Sequence, residues 1–371
     1  MFRKVLYMVL LLPFAGITHA QSSAGVMPDS TKALIEGYVK NYATQHKSLF
    51  MVSVTDKGGS KYYSGFNGRT GSAIKDFNTP FEIGSCSKMF TATAILQLVE
   101  QGRLSLNDPL VKVLPNPALY KDLLVIDGKD YTDSVTILDL LHHSSGFADY
   151  FVGSDSMEIA ISADKTLQFT PEQLIRRSKR LNKPYFKPGT GQFKYSNVNY
   201  ILLGMIIEKL SGMKYQQYIQ TNILKPAGLK QTWFGSVSRP SKELQGHFEG
   251  KPVEMPPTMA WSAGEMISTL DDMTRFIRSW FTGKFFRDKN RMETLLQQDY
   301  LSMAAGIIDY GLGNLTLGKK AWGHAGQTFG WQSFMGALPN GYSFVFGIDD
   351  ASVDGWGPAV LLTEIARSAE R

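Results

Sequence analysis

The chain has 371 residues, of which 43% are hydrophobic, and a formal net charge of +6. This composition excludes a disordered chain and is sufficient for a substantial core in one large domain or two interleaved domains. A single cysteine, Cys86, excludes an intrachain disulfide. The modest positive charge has no aromatic or zinc motif beside it, so nucleic-acid binding is not indicated.

The first twenty residues have the pattern of an export signal. Arg3 and Lys4 precede an apolar run over 5–17, and small residues at 18–20 resemble a cleavage site. No later stretch reaches the roughly 18 apolar residues that a membrane-spanning helix needs. The pattern predicts a signal peptide at 1–20 and an exported chain at 21–371, periplasmic or secreted, without a membrane span.

Two β-hairpins are predicted near the two ends of the exported chain. The first, LFMVSVTDKGGSKYYSGF, turns at Asp56 and the following glycines, and the second, WQSFMGALPNGYSFVFGID, turns at 339–341. A terminal helix follows, with Pro358 in its first turn. The sequence therefore predicts an α+β fold: an antiparallel sheet flanked by helices, from about 28–105 and about 296–371, with a mostly helical region at about 106–295.

The pair Ser-x-x-Lys occurs at Ser72, Ser85, Ser162 and Ser211, and its context separates the four. Ser72 lies in a Gly-rich stretch, Ser162 in a polar segment, and Ser211 where a helix is expected to end. Only Ser85 starts a predicted helix. The apolar residues that recur after it at helical spacing are Met89, Phe90, Ala92, Ile95, Leu98 and Val99.

A serine and a lysine three residues apart at a helix start suit acyl transfer. The two side chains share a helix face, so Lys88 is expected to reach the Ser85 hydroxyl and help to activate it. The helix N-terminus also favours the negative charge that forms there during the reaction. Such an enzyme also needs a proton relay and hydrogen-bond donors for the oxyanion.

Two later motifs supply candidates for those parts. Tyr195 is followed two residues on by Asn197; the tyrosine is a candidate proton relay and the asparagine a candidate ligand for a substrate amide. For this pair alone, a half-buried aromatic and a turn residue are the favoured interpretation. The segment from His324 to Gly326 combines a cationic residue, a small residue and glycine before the last strands. The three motifs together, in this order, indicate one catalytic site.

These motifs resemble the serine β-lactamase and DD-peptidase superfamily, in the branch of class C β-lactamases, D-alanyl-D-alanine carboxypeptidases and related esterases. Further segments carry the same resemblance: TILDLLHHSSGF, PGTGQFKYSN, ILKPAGLKQTWF, AGEMISTLDDMTRF and YGLG. The resemblance implies an antiparallel sheet flanked by helices, a helical region beside it and a groove between them. It requires no metal or organic cofactor.

The resemblance also implies roles for individual residues. Ser85 is the expected nucleophile, Lys88 its activating partner and Tyr195 the proton relay; which of Lys88 and Tyr195 is the base stays open. Asn197 resembles a substrate-amide ligand, and His324 and Gly326 are expected to line the groove. The backbone N–H groups of Ser85 and Gln327 resemble the oxyanion hole.

Two departures from the family pattern bear on the substrate. The third motif has His324 where class C β-lactamases have lysine, and Ala325 where a hydroxyl residue is common. Histidine carries little charge at neutral pH unless a neighbour raises its pKa. We therefore expect D-alanyl-D-alanine carboxypeptidase-like or esterase-like action ahead of β-lactamase action. Peptidoglycan-derived compounds are candidate substrates.

Two other classes of function are weighed against this one. An α/β-hydrolase would use Ser262 in Ala-Trp-Ser-Ala-Gly, but the preceding KPVEMPPTM has three prolines and does not suit the strand that such a nucleophile needs. A catalytically silent envelope-binding protein would not need three intact motifs.

Three smaller features have structural interpretations. The neighbours His142 and His143 lack a third ligand at metal spacing, so no metal site is predicted. Cys86 is expected to point away from Lys88 and pack in the core, because one residue turns about 100° on a helix. The basic segment RRSKR at 176–180 is interpreted as a solvated helix face, with attraction of anionic substrates as the alternative.

Overall fold

A computed structural model describes residues 27–151, 167–181, 183–254, 256–288, 300–304 and 306–369. The predicted export signal and Ser162 lie outside these ranges. The helices are, in chain order, α1 (Asp29–His46), α2 (Ser87–Glu100), α3 (Leu110–Val113), α4 (Pro117–Tyr120), α5 (Ile137–His142), α6 (Pro171–Leu181), α7 (Asn197–Ser211), α8 (Tyr215–Ile219), α9 (Lys225–Ala227), α10 (Leu270–Phe281) and α11 (Trp356–Ser368).

Among the described residues, the strands pair in four sheets. They are β1 (Leu49–Thr55), β2 (Lys61–Asn67), β3 (Ser72–Ala73), β4 (Phe81–Glu82), β5 (Val125–Ile126), β6 (Lys129–Asp130), β7 (Trp233–Phe234), β8 (His247–Phe248), β9 (Lys251–Pro252), β10 (Met266–Ser268), β11 (Leu301–Ala304), β12 (Ile308–Tyr310), β13 (Leu315–Leu317), β14 (Ala321–Gln327), β15 (Gln332–Ala337) and β16 (Ser343–Ile348). Within the described ranges the largest sheet has nine strands in the order β11-β12-β13-β14-β15-β16-β1-β2-β3, and their pairing is antiparallel.

Both predicted hairpins are confirmed. β1 and β2 pair across a turn in which Asp56 Oδ1 accepts from Ser60 N at 2.8 Å. β15 and β16 pair across a turn that ends at Gly341, whose φ of 87° suits glycine. β1 also pairs with β16, with Phe50 opposite Ile348, so the two ends of the chain share one sheet as predicted.

Alternation along β1 gives the sheet two apolar faces. Phe50, Val52 and Val54 are buried against α1 and α11, whereas Met51 joins the core on the opposite face, where α10 packs. The sheet therefore lies between two helical layers, and the predicted fold class, α+β with an antiparallel sheet flanked by helices, is confirmed.

The chain between α2 and β11 carries α3 to α10 and a few two- or three-residue strands. The predicted limits of the helical region, about 106–295, stay a prediction. Two segments of this part matter for the site: the loop after α5, which begins at His143 with a φ of 56°, and the start of α7. Among the described residues, no helix has the length and apolar character needed to cross a bilayer.

Candidate active site

Ser85 lies in a tight turn that leads into α2. Gly84–Cys86 form a single 3₁₀ turn and the α-helix proper begins at Ser87, so the nucleophile candidate precedes the α-helix by two residues. Gly84 has a φ of 50°, a conformation that favours glycine. The prediction that Ser85 starts a helix is thus confirmed, with the refinement that the first turn is 3₁₀.

Lys88 lies within reach of the Ser85 hydroxyl. Its Nζ atom is 3.0 Å from Ser85 Oγ, 2.8 Å from Asn197 Oδ1 and 2.7 Å from the Ala263 carbonyl oxygen. The residue is fully buried, and burial lowers the pKa of Lys88 to about 7, a shift that the negative charge of Asp149 opposes. A neutral lysine is therefore accessible near neutral pH.

Asn197 bridges Lys88 to a buried carboxylate. At the first residue of α7, its Oδ1 accepts from Lys88 and its Nδ2 donates to Asp149 Oδ2 at 2.9 Å. Burial raises the pKa of Asp149 above its ordinary value, although N–H groups of Phe151 and Asn197 and the charge on Lys88 oppose that rise. Both ends of the Asn197 amide are thus bonded within the protein; its predicted contact with a substrate amide stays a prediction.

Tyr195 lies beside the same lysine. Lys88 Nζ is 5.0 Å from the centre of the Tyr195 ring, and the ring of His143 packs against Tyr195 at 4.2 Å. Burial raises the pKa of Tyr195 well above its ordinary range, and the Ser85 side chain opposes that rise. In the part of the chain that the structure describes, no group has normal hydrogen-bond geometry with the buried Tyr195 Oη. The phenol is therefore protonated at neutral pH.

His143 is held rigidly under the tyrosine. Its Nδ1 accepts from Ser196 N at 3.2 Å and lies 3.0 Å from Asn199 Nδ2. Burial lowers the pKa of His143 well below its ordinary value. Because Nδ1 accepts these bonds, the proton sits on Nε2 and the neutral ring is a fixed platform for Tyr195.

Gly326 brings strand β14 close to the turn that carries Ser85. A methyl group placed on Gly326 would lie 2.0 Å from the Ile83 carbonyl oxygen, and one placed on Gly84 would lie 2.8 Å from Gln327 N. The Gly326 backbone therefore packs on the turn, a contact for which a side chain leaves no room.

The Gln327 N–H faces the same turn. Thr328 N donates to the Trp331 oxygen at 3.0 Å and closes the turn between β14 and β15. Since residue pairs alternate along an antiparallel ladder, the preceding N–H, that of Gln327, points away from β15 toward Gly84. The expected oxyanion pair, the N–H groups of Ser85 and Gln327, thus lies on adjoining segments.

His324 has a different environment from the one a groove-lining cation needs. It is 2% exposed; its Nε2 lies 2.9 Å from the Tyr310 hydroxyl and its Nδ1 lies 2.5 Å from the Ala325 carbonyl oxygen. Burial, with the nearby charge of Lys88, lowers the pKa of His324 to about 3. The imidazole is neutral at physiological pH, which does not suit a cationic anchor for a substrate carboxylate.

The alternative nucleophile, Ser262, is part of the wall behind Lys88. It is fully buried in the 3₁₀ turn Trp261–Ala263, and its hydroxyl donates to the Tyr200 carbonyl oxygen at 2.9 Å. Pro257–Met259 precede it as another 3₁₀ turn, not as a strand. The α/β-hydrolase alternative is therefore wrong: Ser262 has a structural role.

The interpretation of Cys86 as a core residue fits what the structure describes. Cys86 is buried, its Sγ donates to the His324 carbonyl oxygen, and burial raises its thiol pKa to about 12, so core packing is confirmed. No group of His, Cys, Asp or Glu within the described ranges is arranged to hold a metal ion.

Two residues near the site, Asp149 and Tyr310, were not predicted from the motifs. Asp149 stands in Phe-Ala-Asp-Tyr-Phe, and a carboxylate within an aromatic run is a signal for a buried, bonded acid. Tyr310 opens the YGLG segment, but nothing in that segment indicates that its hydroxyl bonds His324.

Comparison with known proteins identifies the family. A family model described as Beta-lactamase matches residues 33–361. Penicillin-binding protein 4* of Bacillus subtilis is 39% identical over 159 residues, which are 42% of this chain and 30% of that protein. The match spans less than half the length of this relative and of the next curated relatives.

Two solved structures have a similar fold over most of the chain. The D-amino acid amidase of Ochrobactrum anthropi SV3 has a TM-score of 0.76 at 22% identity, covering 92% of this chain and 100% of that one. An octameric penicillin-binding protein homologue of Pyrococcus abyssi has a TM-score of 0.71 at 26% identity, covering 89% and 77%. With the family model matching most of its length, this chain belongs to the beta-lactamase family, within the serine hydrolase superfamily.

Proposed function

We propose that this protein hydrolyses amide or ester bonds through an acyl-enzyme on Ser85. The observation that carries the proposal is the contact between Lys88 Nζ and Ser85 Oγ, 3.0 Å, in a buried site that lowers the lysine pKa to about 7. A neutral amine has two N–H groups and one electron pair. Because Asn197 Oδ1 and the Ala263 oxygen accept those two hydrogens, the pair is directed at the Ser85 hydroxyl.

Lys88 is the base for acylation in this proposal, and Tyr195 is the acid. Ser85 Oγ attacks the substrate carbonyl carbon as its proton moves to Lys88 Nζ. The bond to the leaving nitrogen or oxygen then breaks, and the protonated Tyr195 hydroxyl donates its proton to that atom. Acylation therefore leaves Lys88 positive and Tyr195 negative, and the lysine lies over the tyrosine ring.

Deacylation returns Lys88 and Tyr195 to the protonation states that they had before acylation. A water molecule gives one proton to the Tyr195 phenolate and its hydroxide attacks the acyl carbon. The ester bond to Ser85 breaks, and Lys88 returns its proton to Ser85 Oγ. In both steps the N–H groups of Ser85 and Gln327 are the proposed donors to the oxyanion. One such donor often stabilises the transition state by about 3–4 kcal/mol.

The preferred substrates carry an uncharged group on the leaving side of the scissile bond. The position that would hold a substrate carboxylate offers a buried neutral imidazole, His324, and a side chain without a hydroxyl, Ala325. This ranks small esters and D-amino-acid amides above peptides that end in D-Ala-D-Ala with a free carboxylate. The name of the O. anthropi neighbour, a D-amino acid amidase, is consistent with that ranking.

β-Lactamase action is the second candidate, because the family includes it and the Ser85–Lys88 pair suits attack on a strained amide. A penicillin carries a carboxylate, so the neutral third motif disfavours its turnover. In this proposal the enzyme is exported through the signal at 1–20, and N-terminal sequencing of the mature protein from the native host tests that step.

A substrate panel tests the proposal. Hydrolysis of p-nitrophenyl acetate, D-phenylalanine amide, an N-acylated D-Ala-D-Ala peptide and a penicillin is measured with the wild type and with Ser85→Ala. We expect kcat/KM to be larger for the neutral ester or amide than for either carboxylate substrate, and all turnover to disappear in Ser85→Ala. A higher kcat/KM for the peptide would make the protein a carboxypeptidase.

A further inference from the structure

We propose that Asp149 is a positioning residue: it fixes the orientation of the Asn197 side-chain amide and thereby directs the electron pair of Lys88 toward Ser85. The inference rests on the proposed function, in which neutral Lys88 is the base. The hydrogen bonds that tie Asp149 to the site are those to Asn197, so we assign its effect on Ser85 to Asn197 and Lys88.

The surroundings of Asp149 are those of an acceptor. The residue is 6% exposed, its Oδ1 accepts from Phe151 N at 3.1 Å, and its Oδ2 accepts from Asn197 Nδ2 at 2.9 Å and Asn197 N at 3.4 Å. An ionised carboxylate accepts hydrogen bonds and donates none. The NH₂ end of the Asn197 amide must therefore face Asp149.

This orientation decides which atom of Asn197 meets Lys88. With Nδ2 on Asp149, Oδ1 lies 2.8 Å from Lys88 Nζ and takes one of its hydrogens. If the amide turned over, Nδ2 would face Nζ, and a neutral lysine would accept a hydrogen bond from it. That bond would use the electron pair that Ser85 needs.

Asp149 also acts on Lys88 through its charge, so the other ionisable groups around the lysine must be considered. They are Cys86, His143, His324, Tyr195 and Tyr200. Burial keeps the thiol and the phenols protonated and the two imidazoles neutral near pH 7. Unlike these five groups, Asp149 has an ordinary pKa well below neutral. Burial raises the pKa of Asp149, and the N–H groups of Phe151 and Asn197 and the charge on Lys88 oppose that rise. In return, the negative charge of Asp149 raises the pKa of Lys88.

The test replaces the carboxylate with an amide of the same shape. In Asp149→Asn, the new side chain is able to donate as well as accept, so the Asn197 amide loses its fixed orientation. With p-nitrophenyl acetate as substrate, we expect kcat/KM to fall by roughly 10- to 100-fold, a fraction of what a general base contributes. Because the negative charge is gone, the acidic limb of the pH profile moves to lower pH.

A matched control is Glu265→Gln. Glu265 is also buried, two residues after the Ala263 carbonyl that binds Lys88, but its partners are Gln216 and Ser236. This variant loses a buried carboxylate without reaching Asn197. Its acidic limb is expected to coincide with that of the wild type.

An exchange variant covers the case in which Asp149→Asn does not fold. Asp149→Asn combined with Asn197→Asp keeps one carboxylate and one amide, and again places an acceptor against Lys88. The carboxylate now contacts Lys88 directly, so the acidic limb is expected above that of the wild type.

The outcomes separate the two proposals. The role of Asp149 would be overturned, with the acyl-enzyme proposal left intact, by any of three results. Asp149→Asn could keep the wild-type pH profile and kcat/KM, Glu265→Gln could shift the acidic limb as much as Asp149→Asn does, or the exchange variant could leave the acidic limb unshifted. A wild type that neither hydrolyses the ester nor is acylated at Ser85 would overturn the proposed function and this inference with it.

Discussion

The Tyr310 hydroxyl lies 2.9 Å from Nε2 of His324, so the histidine of the third motif is bonded inside the protein. Its other ring nitrogen meets the Ala325 carbonyl oxygen, which requires a hydrogen on Nδ1 and leaves Nε2 to accept from the tyrosine. A neutral ring satisfies both contacts. Lys88 is therefore the cation of the site that titrates near neutral pH.

The first prediction concerns the pH dependence of hydrolysis. Protonated Lys88 has no electron pair for the Ser85 proton, and its pKa is about 7. We expect kcat/KM for a neutral ester to be low below that pH, to rise through about 7 and to reach a plateau above it. His324, with a pKa of about 3, is neutral throughout this range, so its titration does not change kcat/KM there.

A pH series on wild type and on His324→Gln checks this assignment. The midpoint is expected to be similar in both proteins, apart from any uniform loss of rate. If the acidic limb disappeared in His324→Gln, the histidine and not the lysine would be the titrating group.

The second prediction concerns the contact between Gly326 and the Ile83 carbonyl. In Gly326→Ala the new methyl group would lie 2.0 Å from that oxygen, so β14 must move away from the Ser85 turn. We expect a cost of about 1–3 kcal/mol in the free energy of unfolding. Because the proposed oxyanion donor, the Gln327 N–H, moves too, kcat/KM should fall by roughly 10- to 100-fold.

The control for this variant is Gly37→Ala in α1, where a methyl group has nothing within 4 Å. Removing a helical glycine there should stabilise the protein by about 0.5–1 kcal/mol and leave activity unchanged. Urea unfolding and ester hydrolysis measure both variants. Normal activity in Gly326→Ala would show that β14 need not approach the turn so closely.

The third prediction concerns Cys86. Its thiol is buried against the His324 carbonyl oxygen and its pKa is raised to about 12, so it forms no thiolate at neutral pH. We expect Cys86→Ala to keep most activity and to lose about 1 kcal/mol of stability. The native protein should resist iodoacetamide and react only when unfolded; rapid alkylation of the native form with loss of activity would place the thiol in the site.

Much of the fold and of the site could be predicted because it depends on short sequence patterns. The two hairpins have turn residues at the required positions, and the helical spacing after Ser85 selected one Ser-x-x-Lys pair among four. The contact between Ser85 and Lys88 could be predicted because residues three apart on a helix lie on the same face.

What could not be predicted depends on contacts between distant segments. The hydrogen bond between Tyr310 and His324 joins two strands. Burial lowers the pKa of His324 to about 3, and this burial could not be inferred from the ordinary histidine pKa near 6.5. The place of Asp149 beside Asn197, 48 residues away in sequence, likewise follows only from the packing of the loop after α5 on α7.

In the proposed mechanism Ser85 is the nucleophile and neutral Lys88 activates it. The most direct test is peptide mapping by mass spectrometry after reaction with a fluorophosphonate, on wild type and on a folded Ser85→Ala variant, at several pH values. We expect one adduct, on the peptide that contains Ser85, formed faster as pH rises through about 7, and none on Ser85→Ala. An adduct on another residue such as Ser262, or labelling of Ser85→Ala at the wild-type rate, would contradict the claim.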